Sequence, residues 1–338
     1  MGEQSGIEWT TATWNPVIGC AKVSPACTNC YAEEYAAKRL KRPELWRGAR
    51  HVTSQSVWNL PGRVDRKAAR EGRRARLFVS SLADVFEDHP VWTGLRSFAF
   101  AKLEALEHTD VLLLTKRPEN IRSMVPSSWL DAWPAHVWTG ATVEDQQRAD
   151  ERISELLKVP GPHFLSMEPL LSHVNLAGAF YASPPVGEPD EPAEAGGMWR
   201  GRVPLANGVQ WVIVGGESGN RARPSHPYWF RSVRDQCAAA GVPFMFKQWG
   251  EWVPRGPESV SPNYVSVDGV PRVRLSVCGC NSSSDRSGPG GVPGAFQRHD
   301  CDLSRDSWMN RAGKKCAGRM LDGVLHDAFP ESFGVTHG

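Results

Sequence analysis

At 338 residues and 41% hydrophobic content, the chain has room for one large α/β domain or two ordinary ones around a real core. A formal net charge of +2 gives no global argument for a nucleic-acid partner. No apolar run approaches the roughly 18 residues needed to cross a bilayer, so a membrane protein is not expected. The start, Met1-Gly2-Glu3-Gln4-Ser5-Gly6, lacks an apolar leader, which points to a soluble protein of the reducing cytoplasm without structural disulfides.

The first predicted strand covers residues 7–14, where Ile7, Trp9 and later hydrophobic residues alternate with polar ones. It delivers a loop in which three of the eight cysteines, Cys20, Cys27 and Cys30, fall in a C-x6-C-x2-C pattern. An odd set is poorly explained by disulfides, and metal ligation leads. A structural zinc takes four protein ligands, and no fourth Cys or His follows at finger spacing. An iron–sulfur cluster held by three thiolates leaves one iron open for chemistry. Both metal readings stand on the residues alone. A helix is predicted over residues 30–42, with acids early and bases late, so the thiols precede its N-terminus.

A basic helical stretch follows at residues 63–76, with Arg66, Lys67, Arg70, Arg73, Arg74 and Arg76. It reads either as a solvated face or as a phosphate contact. Apolar strands are then predicted at residues 77–81, 110–118, 136–144, 163–169, 209–219 and 242–250. Helices are predicted at 90–107, 144–157 and 228–240. Nearly continuous apolar strands alternating with helices imply an α/β fold with a parallel sheet buried on both faces. The expected architecture is a partial (β/α)6-type TIM barrel with loop insertions, and a doubly wound open sheet is the alternative.

Two stretches break the pattern, a Pro-, Gly- and acid-rich insertion at 177–208 and an irregular one at 254–298. The expected division is a barrel over 1–253 and a C-terminal extension over 254–338. Cys278, Cys280, Cys301 and Cys316 form either a second metal site or unpaired thiols. Several of the fourteen tryptophans, such as Trp46, Trp249 and Trp252, sit beside Gly or charged residues, so some rings are expected to line a cleft.

Polar residues cluster at the predicted strand ends, where barrels carry their chemistry. Lys116, Arg117 and Lys247 offer cations for carboxylate or phosphate. Glu144, Glu168 and Glu217 would hold ribose hydroxyls or amines, cap the following helices, or pair with those cations. Lys116, Glu168 and Lys247 are the catalytic candidates. The late segment Gly313-Lys314-Lys315-Cys316-Ala317-Gly318-Arg319 is basic but has no G-x4-G-K-[ST] phosphate loop.

Taken together, these stretches resemble a known family. The set Trp14-Asn15-Pro16-Val17-x-Gly19-Cys20, Cys27-x-x-Cys30-Tyr31-Ala32, Ser81-x-Ala83-Asp84-Val85-Phe86, Leu114-Thr115-Lys116-Arg117-Pro118, Gly140-Ala141-Thr142-Val143-Glu144, Leu165-Ser166-Met167-Glu168-Pro169-Leu170, Gly215-Gly216-Glu217-Ser218-Gly219 and Phe246-Lys247-Gln248-Trp249-Gly250, with the GKKxAGR segment, resembles the phage Gp37/Gp68 family, also called DUF5131. That family is in turn similar to radical S-adenosylmethionine enzymes, including spore photoproduct lyase. The distant resemblance implies a [4Fe–4S] cluster on Cys20, Cys27 and Cys30 and S-adenosyl-L-methionine on its open iron. The loop departs from the usual C-x3-C-x2-C spacing by three extra residues between its first two cysteines. Ser80, Ser81 and Asp84 are the candidates for the methionine end of the cofactor. Tyr31, Thr142, Glu144, Gly215, Gly216, Glu217 and Ser218 complete the cofactor-binding set.

Two functional classes follow. One is a radical enzyme acting on a nucleic acid or nucleotide and fed by a reductant such as flavodoxin or ferredoxin. The other is a non-catalytic, metal-stabilised module that binds DNA or a protein.

Overall fold

The computed structural model describes residues 2–182, 204–254, 272–275 and 307–331. Seven parallel strands form one sheet: β1 (Ala12–Trp14), β2 (Ala75–Val79), β3 (Thr109–Thr115), β4 (Val137–Thr142), β5 (His163–Met167), β6 (Val209–Gly215) and β7 (Phe244–Gln248). They lie side by side in the order in which the chain makes them. A sheet wound in one direction has no switch point, which rules out the doubly wound alternative. Helices α1 (Tyr31–Lys38), α2 (Leu60–Arg70), α3 (Leu95–Glu104), α4 (Gln146–Leu156) and α5 (Pro227–Ala240) fall between strands, and the whole is a half-barrel.

The pleat sorts the strand residues into two cores. Leu77, Val79, Val111, Leu113, Leu165, Val212 and Phe246 pack with Val64, Phe100, Ile153 and Val233 of the helices. The alternate residues Phe78, Leu112, Trp138, Phe164, Trp211 and Met245 make a second cluster inside the curl. Trp9 joins that cluster, with Ile7 and Phe329 against it. Only Ala12–Trp14 of the predicted first strand pairs with the sheet, because residues 7–10 turn and send Trp9 into the interior. The interior is therefore filled by rings rather than left as a pore.

Residues from beyond the sequence-level boundary return to this barrel. The Phe246 amide donates to His326 O at 2.9 Å, and the Trp211 indole donates to Ala328 O at 3.0 Å. The strand Ser307–Arg311 pairs antiparallel with Trp252–Pro254 and Arg272–Leu275. Cys278, Cys280 and Cys301 lie outside the described residues, as does most of the expected insertion between 177 and 208. Among the described residues, no helix is long and apolar enough to cross a membrane.

Four of the cations in the basic stretch 63–76 are paired locally, and Arg66 and Arg70 are exposed. Arg63 pairs with Glu3 at 2.8 Å, Arg74 with Asp110 at 2.8 Å, and Arg73 and Lys67 with Glu71. Arg76 lies over the Phe329 ring.

Gly140 sits opposite the interior ring of Phe164, where a Cβ would come within 2.5 Å of ring carbons. Gly140→Ala is therefore expected to cost about 1–3 kcal/mol through overpacking. Urea unfolding checks this, and an unchanged midpoint would mean that the ring shifts freely.

Candidate active site at the carboxyl ends of the strands

The period-2 geometry that lines the interior with rings continues one or two residues further and aims polar side chains above them. Phe78 is followed on its face by Ser80, Leu112 by Leu114 and Lys116, Trp138 by Gly140 and Thr142, Phe164 by Ser166 and Glu168, and Met245 by Lys247. Ser80, Leu114, Lys116, Thr142, Ser166, Glu168 and Lys247, with Trp9 and Phe78 beneath, line a cavity of about 370 Å³. Cys20, Cys27, Cys30 and Tyr31 line it from the other side.

The loop that carries the thiols is gripped by three buried carboxylates from distant strand ends. Glu87 accepts from the Ala21 amide at 2.8 Å and is held by Arg50 at 2.6 Å. Glu144 is fully buried, pairs with Arg152 at 2.9 Å and accepts from the Ala26 amide at 3.3 Å. Glu217 pairs with Arg223 at 2.6 Å and accepts from the Asn29 side chain at 3.2 Å. The Arg223 guanidinium also donates to Pro25 O at 3.0 Å. Glu144 and Gly215 do not line the cavity, whereas Gly216, Glu217 and Ser218 do. Glu144 does not cap α4 either; the Asp145 side chain does, accepting from the Arg148 amide. Sequence reasoning missed Arg50 and Glu87, 37 positions apart, and Arg223, which pairs with Glu217 six positions before it but reaches Pro25 O 198 positions away.

The two glycine-bearing motifs meet backbone to backbone. A Cβ on Gly216 would fall 1.9 Å from Trp249 O, and one on Gly250, at φ +81°, would fall 2.2 Å from Glu217 O. Both positions require glycine, which locks the ends of β6 and β7 together. Trp249 is core rather than cleft, and Trp252 donates to Ala222 O; Trp46 does line the cavity.

Charges inside the site divide into paired and unpaired. Arg117 holds Asp84 at 2.9 Å, donates to Ala21 O at 2.9 Å and lies 3.8 Å from Cys20 Sγ. Asp84 also accepts from the Thr115 hydroxyl and from the Lys116 and Phe86 amides, so its oxygens are occupied. Burial and the Asp84 charge push the Cys20 thiol up to about 12, against the opposing pull of Arg117. Lys247 pairs with Glu168 at 3.0 Å, the ion pair that the strand-end pattern allowed. Lys116 donates to the Thr142 hydroxyl at 3.3 Å and has no carboxylate partner among the described residues.

One hydroxyl is left over. Ser80 is 3% exposed, sits in the left-handed region at φ 62°, lines the cavity, and its Oγ has no partner among the described residues. A strained serine with a buried, unpaired hydroxyl at a cavity wall is a place for a ligand atom. Ser81 is engaged differently: its carbonyl accepts from the Tyr31 hydroxyl at 2.6 Å and its Oγ from Asn15 at 2.9 Å.

Among the described residues, no three or more His, Cys, Asp or Glu side chains converge tightly enough for a single metal ion. Three thiols from one loop that line one cavity are the donor type that an iron–sulfur cluster takes. A cluster offers separate irons to separate thiolates, so its ligands need not meet at one point.

Burial raises the Glu87 carboxyl, but the Arg50 guanidinium, the Ala21 amide and Arg117 outweigh it and hold the group below its ordinary value of 4.5. A lowered carboxyl stabilises the fold above the unfolded pKa and loses that effect as pH falls through the folded one. Glu87→Gln is thus expected to cost about 3–5 kcal/mol near neutrality by leaving Arg50 buried and unpaired. Thermal unfolding from about pH 6 down to 3 should show a shallower acid decline in the variant than in the parent. Parallel declines would show that Glu87 is not a titrating clamp.

No curated protein matches the sequence. Among solved structures, a cysteine-to-serine mutant of spore photoproduct lyase is similar over 47% of this chain and 46% of that one, at 12% identity and a TM-score of 0.35. A doubly substituted form of spore photoproduct lyase, with bound AdoMet and dinucleoside spore photoproduct, is similar over 48% and 46%, at 13% identity and a TM-score of 0.33. The matched region spans less than half the length of those enzymes. The model of the family described as "Protein of unknown function (DUF5131)" matches residues 4–330, and to that family the chain belongs.

Proposed function

We propose that the protein is a radical S-adenosylmethionine-type enzyme, with a [4Fe–4S] cluster on Cys20, Cys27 and Cys30 and S-adenosylmethionine in the adjoining cavity. The observation that carries this reading is that three thiols of one clamped loop line the same cavity as the unpaired Ser80 hydroxyl and the strand-end polar groups. The chemistry such a cofactor pair supplies when bound is reductive cleavage of the sulfonium to a hydrogen-abstracting 5′-deoxyadenosyl radical.

The chain's own residues do the rest. Arg117 places a cation beside Cys20 Sγ, which favours the thiolate that metal ligation requires. Ser80 presents a hydroxyl with free valences to a polar end of the ligand. Trp9, Phe78 and Leu114 form an apolar base that keeps water and stray hydrogen donors from the reacting end. Glu168 and Lys247, paired across the cavity, orient substrate hydroxyl or amine groups and can exchange a proton between Oε1 and Nζ. The electron is expected from a reductant of the flavodoxin or ferredoxin class.

Anaerobic reconstitution followed by iron and sulfide analysis tests the assignment. The expected result is about four irons per chain, with a paramagnetic resonance signal after reduction that shifts when S-adenosylmethionine is added. Cys27→Ala should lose both the iron and the signal while keeping the parent's far-ultraviolet dichroism. Stoichiometric zinc without iron, unchanged by S-adenosylmethionine, would overturn the reading in favour of a metal-stabilised binding module.

A further inference from the structure

A cationic rim at the mouth of the cavity is used neither by the clamp nor by the cofactor assignment. Lys314, from the basic segment near the C-terminus, lines the cavity, and Lys315 follows it, exposed. The loop 218–223 is anchored beside them. Glu251 accepts from the Gly219 amide through its side chain and from the Ala312 and Gly313 amides through its carbonyl. Arg311 donates to Gly219 O and to Asn220 O at 2.5 Å. This shared anchor groups exposed Arg221 with Lys314 and Lys315, and Arg221 O accepts from Asn29, next to Cys30. Among the described residues, none of these three cations has an ion-pair partner. Two acids approach Gly219: Glu34 is already held by Lys38, and the Glu251 carboxylate is taken up by the Gly219 amide.

Inside the mouth, Lys116 is a fourth cation without a carboxylate, and the rings of Tyr31, 56% exposed, and Trp46 line the same cavity. Cations without ion-pair partners that continue from a cavity onto its outer lip, with aromatic rings lining the same cavity, match a chain of phosphates carrying flat bases. A free nucleotide would need the cavity cation but not the outer ones.

Resting on the cavity being the reaction site of the proposed enzyme, we infer that its substrate is a single-stranded nucleic acid. The strand's phosphates lie along Arg221, Lys315 and Lys314, and one base enters past Tyr31 and Trp46.

The test is fluorescence anisotropy with a labelled single-stranded DNA of about 12 nucleotides, a length that single-strand grooves accommodate. Salt is varied between about 50 and 200 mM. The parent should bind with a steep salt dependence. Arg221→Ala/Lys314→Ala/Lys315→Ala should flatten the slope of log K against log salt by about 2, at roughly 0.7 per lost phosphate contact. The charge-keeping Lys314→Arg/Lys315→Arg chain should restore it, which separates lost contacts from lost folding. Arg66→Ala/Arg70→Ala, on the exposed face of α2, should leave it unchanged. Absence of binding, an unaltered slope in the triple variant, weakening by the α2 variant instead, or equal competition by thymidine monophosphate would each overturn the inference. Strand binding is read without turnover, so its failure leaves the iron and sulfide count untouched, and loss of the cluster reading leaves the salt slope untouched.

Discussion

The arrangement depends on burying three glutamates against one loop, two on its backbone amides and one on a side-chain amide. A loop of eleven residues with three thiols has little to hold it by itself, since its longest regular piece is the single turn Pro25–Cys27. Glu87, Glu144 and Glu217 reach it from the ends of β2, β4 and β6 and accept its N–H groups near the beginning, middle and end. Each carboxylate is itself paired with an arginine, which meets the cost of taking a charge out of water. The thiols are thereby positioned by the rigid sheet rather than by their own loop, as precise sites require.

The same sheet supplies the remaining site by simple alternation. Because successive side chains point to opposite faces, a strand whose interior residues are aromatic continues into polar residues on that same face. Phe164, Ser166 and Glu168 lie on one line, as do Leu112, Leu114 and Lys116. The apolar base and the polar wall of the cavity are thus one pattern read at two depths.

That pattern is why much of the site was legible in the sequence. The strand-end residues Ser80, Lys116, Thr142, Glu168 and Lys247 all line the cavity, and so do the three cysteines. What could not be read was pairing at long range. Nothing near Ala21 announces Glu87, 66 positions away, or near Asn29 announces Glu217, 188 positions away. Glu144 illustrates the limit: its strand-end position is plain, but its carboxylate turns to Arg152 and the Ala26 amide instead of the cavity. The basic run at 63–76, which the sequence left open between a solvated face and a phosphate contact, shows the same limit. Charge density is visible in a sequence, whereas the pairing of Arg63, Arg73 and Arg74 with Glu3, Glu71 and Asp110 appears only in the fold. Among the described residues, Trp9, Trp138 and Trp211 fill the inner face of the curl, whereas Trp14, Trp58, Trp92, Trp129, Trp229 and Trp249 pack in the core between the sheet and its helices.

Phe329 packs on Trp211 with ring centroids 5.3 Å apart, and the interior it completes also receives Trp9. The base of the cavity is therefore sewn shut by residues from nearly opposite ends of the sequence. During synthesis the cysteine loop emerges long before Phe329, and the barrel beneath it cannot be sealed until residue 329 has been made. For most of translation the nascent chain carries its thiols on an unfinished vessel. Truncating the ring at either Trp9 or Phe329 would unpick the same seam.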